Sequence, residues 1–349
     1  TVTVKPHEGW DVATALPLRD GAWFARDYDV LIDSPILWGT FQRREFLVGG
    51  KKHHLVWSGK NDFDIDRLAS DTQRIVEAVW EMFGGELPYE DYWFLWRFER
   101  GAGGGLEHLN STRINDGPTG YKDPDELDRH WGVTAHEYVH TWNVKRIRPQ
   151  GLGPFDYSQE QYVTELWFSE GFTSYLGDLA LVRAGIWSEE RYLASRAEEL
   201  ESHRATPARH WMSAADSSFT TWHKSQNGVD GRVNYYNKGL LIGMLMDLEL
   251  RRRSGGQYDL TDLMQRMNDD FRKTGLAFPK GTIQKIAESL TNDSWAPFFA
   301  RYITGTERLA VDKALETVGM TLKKKPGQPV ASLGVSTRAG EDARVNRVE

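Results

Sequence analysis

The sequence contains no cysteine. That excludes disulfides, thiolate metal sites and cysteine nucleophiles together, and a cysteine-free chain suits any compartment. Long apolar runs are missing too: nothing approaches the roughly 18 residues of a membrane-spanning helix, so no membrane partner is expected. There is no basic excess, with 43 Lys and Arg against 50 Asp and Glu and a net charge of −7. That balance argues against nucleic acid as the main partner. The opening Thr1–Pro6 alternates like a strand and carries no signal-peptide pattern. Internal repeats and low-complexity tracts are absent as well. At 349 residues the chain has the length of two or three units. Such a chain buries about three quarters of its unfolded surface, so it needs no metal merely to fold.

What is present is aromatic and glycine-rich. The 14 tryptophans fit a core more readily than a carbohydrate-binding face, because large aromatics dominate burial. β-Structure is expected over the first sixty residues, with Arg44–Trp57 folded around Gly49-Gly50. Ile65, Leu68, Ile75, Val76, Val79 and Phe83 recur at helical spacing behind possible caps at Asn61 and Asp62. Tyr92–Glu99 is the strongest strand and leads into the glycine run 101–105. From about 126 to 310 the pattern is helical, near 127–147, 160–184, 188–203, 235–254, 259–273, 282–290 and 294–304. Pro149, Gly151, Gly153 and Pro154 make 145–159 a loop. The class is therefore α+β, a mixed β-sheet subdomain with a mostly helical one. The expected division is 1–58, part of an N-terminal β-domain; 59–322, the main domain; and 323–349, a linker and the start of a further unit.

The decisive feature is His136-Glu137-Tyr138-Val139-His140, an H-E-x-x-H motif. On a helix, positions i and i+4 share a face about 6 Å apart, so both imidazoles can reach one ion. Glu137 then sits where its carboxylate can take a proton from water. A chance match in a chain of this length is roughly a one-in-a-hundred event. Zinc used in this way takes a third protein ligand and keeps one open position. No further histidine follows soon, but the next helix offers Glu165 and Glu170. Five residues apart, they point to different faces, and only one can serve.

Leu166-Trp167-Phe168-Ser169-Glu170-Gly171-Phe172 resembles the L-W-x-x-E-G-F segment of gluzincin aminopeptidases. That resemblance implies Glu170 as the third zinc ligand. With His136–Pro149 and Glu170–Leu179, the chain resembles the glycyl aminopeptidase family. The likeness implies an N-terminal β-domain, a thermolysin-like catalytic domain and a C-terminal PDZ domain, beginning here near Leu333-Gly334-Val335. It extends from Gly9–Pro17 to that point. Tyr235-Tyr236-Asn237-Lys238-Gly239 resembles the family's Y-x-K-G, which implies Tyr236 as the catalytic tyrosine, with Tyr235 as fallback. Gly104-Gly105-Leu106-Glu107-His108 resembles G-x-M-E-N, which implies that Glu107 binds the substrate's terminal ammonium; His108 replaces the usual asparagine. A phosphate-cradling role for the glycines is excluded by the lack of a following Lys-Ser/Thr and helix.

The function so implied is a zinc-dependent aminopeptidase with Zn2+ as cofactor, acting on peptides with a free N-terminus and preferring Gly or Ala. A gluzincin endopeptidase would share the zinc site and lack the amine anchor; a non-catalytic peptide-binding scaffold would need only the fold. A soluble bacterial protein of the periplasm or cytoplasm is expected. Both ends are shorter than the family pattern, as in a piece of a longer protein, so contacts with a PDZ domain or companion fragment are expected as well. Ser174 and Asp178 are candidates to orient a ligand histidine. Lys145, Arg146 and Arg148 can receive a peptide carboxylate or pair locally.

Overall fold

The strand read at 92–99 lies at the centre of a five-stranded sheet. In the computed structural model, which describes residues 1–223, 231–323, 335–338 and 344–348, the strand order is Gln42–Val48, Lys51–Ser58, Asp91–Phe98, Ser111–Asp116, Gly105–Glu107. The first two form a hairpin through Gly49 and Gly50, whose φ angles of 56° and 75° are left-handed, as a tight hairpin turn requires. Asp91–Phe98 runs parallel to both neighbours. The three-residue edge strand is antiparallel, with Glu107 opposite Thr112.

Alternation along Asp91–Phe98 sends Tyr92, Phe94 and Trp96 to one face, where all are fully buried. That face packs on the helix Pro124–Val139: the Tyr138 ring stands edge-on to Tyr92 at 5.1 Å, and Trp96 stacks near His130. Leu95 and Val56 point the other way and bury against Ala13, flanked by Leu37 and Phe41. The expected division after residue 58 therefore runs between elements that are hydrogen-bonded into one sheet. Half of the tryptophans, Trp57, Trp96, Trp131, Trp142, Trp167, Trp187 and Trp295, are buried.

The helix Ile65–Met82 starts at Asp64, whose carboxylate accepts from the N–H groups of Asp66 and Arg67, and buries the stripe Leu68, Ile75, Val76, Val79. The helical half is organised by Gly171–Arg183 and Tyr235–Arg253. They cross in near backbone contact: a Cβ on Gly171 would lie 2.3 Å from the Gly239 backbone. The single helix expected at 160–184 is in fact two, Leu166–Ser169 and Gly171–Arg183, broken at Glu170. Residues 207–223, which show no strong period, contain Pro207–His210, Ala214–Phe219 and Thr221–His223 as short helices. Among the described residues, no helix is long and apolar enough to cross a membrane. Most of the expected PDZ-like start lies outside the described residues; Val335–Arg338 and Arg344–Val348 pair antiparallel.

Candidate active site and metal centre

The motif helix is built to stop at the site. Asp123 caps its start by accepting from the Asp125 N–H, Pro124 occupies the first turn, and the helix ends at Val139 with His140 as its C-cap. Tyr138, Trp131 and Trp142 anchor its inner side in the core with no exposure above 1%. Such aromatic burial contributes on the order of 2–3 kcal/mol per side chain and fixes the rotation of the helix. His130 adds a polar tie: burial pushes its pKa down against the pull of Asp116, and its Nδ1–H donates to Asp116 Oδ2 at 2.8 Å.

With that rotation fixed, His136 and His140 turn toward the following helix pair. Their Nε2 atoms are 2.9 Å apart, and Glu170 Oε2 lies 3.2 Å from each. The break in the helix at Glu170 is what brings this carboxylate in, since Gly171 can sit against Gly239 only without a side chain. Glu165 is spent elsewhere, accepting from the N–H and hydroxyl of Thr164.

The hydrogen bonds behind the imidazoles fix their tautomers. His140 Nδ1–H donates to the Asn143 carbonyl at 2.6 Å. Ser174 donates its hydroxyl to the Glu170 carbonyl at 2.9 Å, so its oxygen accepts from His136 Nδ1–H at 3.2 Å. In both rings Nε2 is the nitrogen aimed, with a carboxylate oxygen, at one point. Two imidazole nitrogens with one carboxylate oxygen are the donor set of a catalytic zinc site, and the point they share favours positive charge. The field agrees. Burial opposes charge on His140, yet Glu107, Glu170 and Glu137 overcome it and raise the imidazole to about 10. Burial likewise opposes ionisation of Glu170, but His140 and His136 hold its carboxyl well below the ordinary range.

Glu137 lies beside this point, nearly buried. Burial, reinforced by Glu107 and Glu170, pushes its carboxyl up to about 8, and its Oε2 has no hydrogen-bond partner among the described residues. The edge strand presses on it: a Cβ at Gly105 would stand 2.4 Å from the Glu137 carboxyl carbon. Glu107 follows two residues later, its carboxylate within 4.8 Å of ligand atoms of Glu137 and His140. A cleft of about 520 Å³ opens here, walled by Gly104, His136, Glu137, Ser174 and Tyr236. The Tyr236 ring stacks 6.0 Å from that of His136, whereas the Tyr235 hydroxyl is engaged by Thr221 at 3.1 Å.

Among the residues weighed as supports, Ser174 reaches His136, while Asp178 on the cleft wall pairs with Arg196. Lys145 and Arg146 face inward: Lys145 pairs with Asp33 at 2.6 Å, and Arg146 donates to three backbone carbonyls. Sequence reading missed Asn143 and Thr173. Asn143 Nδ2 donates to the carbonyls of Phe168 and Ser169 and to Thr173 Oγ1. A buried asparagine three residues past the motif was the available signal.

The family model described as M61 glycyl aminopeptidase matches residues 129–242, and that of the peptidase M61 N-terminal domain matches 1–40. The latter ends before the hairpin that joins the sheet. No curated protein is similar enough to match. A solved structure of an aminopeptidase N family protein from Idiomarina loihiensis is 30% identical over 97% of this chain, with a TM-score of 0.89. The chain spans 63% of that protein's length. An M1 zinc metallopeptidase from Deinococcus radiodurans aligns at 16% identity over 81% of this chain and 58% of its own, TM-score 0.53. A two-domain M1 zinc metallopeptidase mutant bound to L-arginine aligns at 14% over 93% of this chain and 64% of its own, TM-score 0.53. At these identities the likeness is one of fold, the gluzincin fold. The resemblance to the glycyl aminopeptidase family, read from the zinc segments, is thus borne out by both family models and by the architecture that carries them.

Proposed function

We propose that this chain is the core of a zinc aminopeptidase that removes N-terminal residues from peptides, with Gly or Ala preferred. The observation that carries this reading is the convergence of His136 Nε2, His140 Nε2 and Glu170 Oε2 beside two further carboxylates, Glu137 and Glu107. Zinc held by the first three residues supplies Lewis acidity, polarising the scissile carbonyl and acidifying water. Glu137 takes the proton as water attacks and returns it to the leaving amine, its Oε2 having no hydrogen-bond partner among the described residues. Tyr236, on the cleft wall with no hydroxyl partner among the described residues, donates its phenol to the developing oxyanion. Glu107, on the exposed edge of the sheet, pairs with the substrate's terminal ammonium. The Gly or Ala preference rests on the family resemblance. With strands 42–58 in the central sheet and the N-terminal match ending at 40, we place the first domain boundary near residue 40.

Metal analysis of the purified protein together with a pair of variants tests the reading. One zinc per chain is expected, retained in Glu165→Gln and largely lost in Glu170→Gln. The opposite behaviour of the two variants refutes the ligand set, and activity unaffected by zinc removal refutes the mechanism.

A further inference from the structure

Glu107 sits on a strand of three residues, and the chain before it is the glycine-rich run Gly101–Gly105, with left-handed φ angles at Gly101 and Gly104. Such a run holds little register of its own. The place of the carboxylate is therefore set by the ladder to Ser111–Asp116, where Glu107 faces Thr112, and by the turn that joins the two strands. There the Leu109 peptide is gripped at both ends. Its carbonyl accepts from the buried Arg146 Nη1 at 2.9 Å, and its N–H donates to Asp33 Oδ2 at 2.8 Å. Asp33 Oδ1 accepts from Lys145 Nζ at 2.6 Å and lies 3.4 Å from His108 Nδ1. The His108 N–H closes the turn on the Ser111 carbonyl at 2.9 Å.

These contacts join three remote pieces of chain. Arg146 and Lys145 follow the zinc motif, the turn carries Glu107, and Asp33 belongs to the N-terminal segment, just past the helix Tyr28–Ile32. His108, which stands where the family pattern has asparagine, aims its imidazole at Asp33.

We propose that Asp33 is a positioning residue: by clamping the Leu109 peptide and His108 it sets the placement of Glu107, so that the N-terminal segment determines how well the site holds a substrate's free amino terminus. This inference rests on the aminopeptidase reading of Glu107. Asp33 touches no substrate and acts through the turn. An amine anchor holds ground state and transition state alike, so loosening it raises KM and spares kcat. A lost charge-assisted hydrogen bond to a backbone N–H corresponds to a change of roughly tenfold.

The test uses the zinc-loaded full chain with alanyl and N-acetyl-alanyl anilides. In Asp33→Ala, KM for the free amine should rise about tenfold, with kcat within about threefold and zinc content unchanged. Asp33→Asn, which keeps an acceptor for the Leu109 N–H, should show a smaller rise. Adding Asp33→Ala to Glu107→Ala should cost nothing further, because both act through one carboxylate. Amide exchange across 107–111 should quicken in Asp33→Ala, a readout independent of activity. Unchanged KM, a fully additive double variant or unaltered exchange overturns the inference while leaving the aminopeptidase reading intact. Equal cleavage of both anilides by the unaltered protein instead refutes that reading, and the role of Asp33 falls with it.

Discussion

Replacing Asn143 with alanine tests whether the network behind the ligands serves the metal or only the fold. Its amide Nδ2 reaches the carbonyls of Phe168 and Ser169 at 3.2 and 3.4 Å and Thr173 Oγ1 at 3.1 Å. Those carbonyls belong to the two residues immediately before Glu170. The Asn143 backbone carbonyl, which accepts from His140 Nδ1–H, survives the substitution. The damage should therefore fall on the Glu170 side of the site. Stranding buried acceptors costs about 1–3 kcal/mol of stability. Loss of an outer support typically weakens metal binding by roughly 10- to 100-fold, about 1.4–2.7 kcal/mol. Competition with a chromogenic chelator measures the second effect, and urea unfolding of the metal-free protein the first. Zinc affinity within twofold of the unaltered protein, despite a clear loss of stability, would refute the argument and reduce Asn143 to a tie between helices.

Three further substitutions probe separate links. Tyr236→Phe should lower kcat about 100-fold with little change in KM, while Tyr235→Phe, whose hydroxyl meets only Thr221 among the described residues, should be mild; equal small effects would return Tyr236 to a packing role. Glu137→Gln should keep zinc and fold and lose at least 10²- to 10⁴-fold in kcat, checked by single-turnover assay beside metal analysis. Gly105→Ala places a methyl 2.4 Å from the Glu137 carboxyl carbon, so kcat should fall sharply with melting temperature nearly unchanged; full activity would mean the edge strand does not press on the base.

How far the sequence carried depended on whether a feature is local. The Gly49-Gly50 hairpin, the motif helix and the strand at 91–98 are set by neighbours a few residues away, and all were legible. The convergence of His136, His140 and Glu170 was legible because i, i+4 geometry joins the histidines; choosing Glu170 over Glu165 needed a resemblance, since either carboxylate suits the chemistry. The break at Glu170 was not visible, because it depends on Gly239, far along the chain, meeting Gly171. Lys145 and Arg146 read as a basic loop, yet their partners Asp33, Leu109 and Pro88 are supplied by other segments. His130 could not be interpreted without Asp116. What sequence pattern left dark was long-range polar pairing, which leaves no period behind.

The proposed action on the free amino terminus of peptides comes down to one comparison. The ratio of kcat/KM for alanyl anilide to that for N-acetyl-alanyl anilide should be measured on the zinc-loaded chain and on Glu107→Ala. Zinc and Glu137 need only a scissile amide, so Glu107 alone among the named residues distinguishes the two substrates. A partly desolvated charge pair contributes from several-fold to about a thousandfold. The ratio should be at least about a hundred and collapse toward one in Glu107→Ala with zinc retained. A ratio near one in the unaltered protein would contradict the proposal and leave an endopeptidase on the same zinc site.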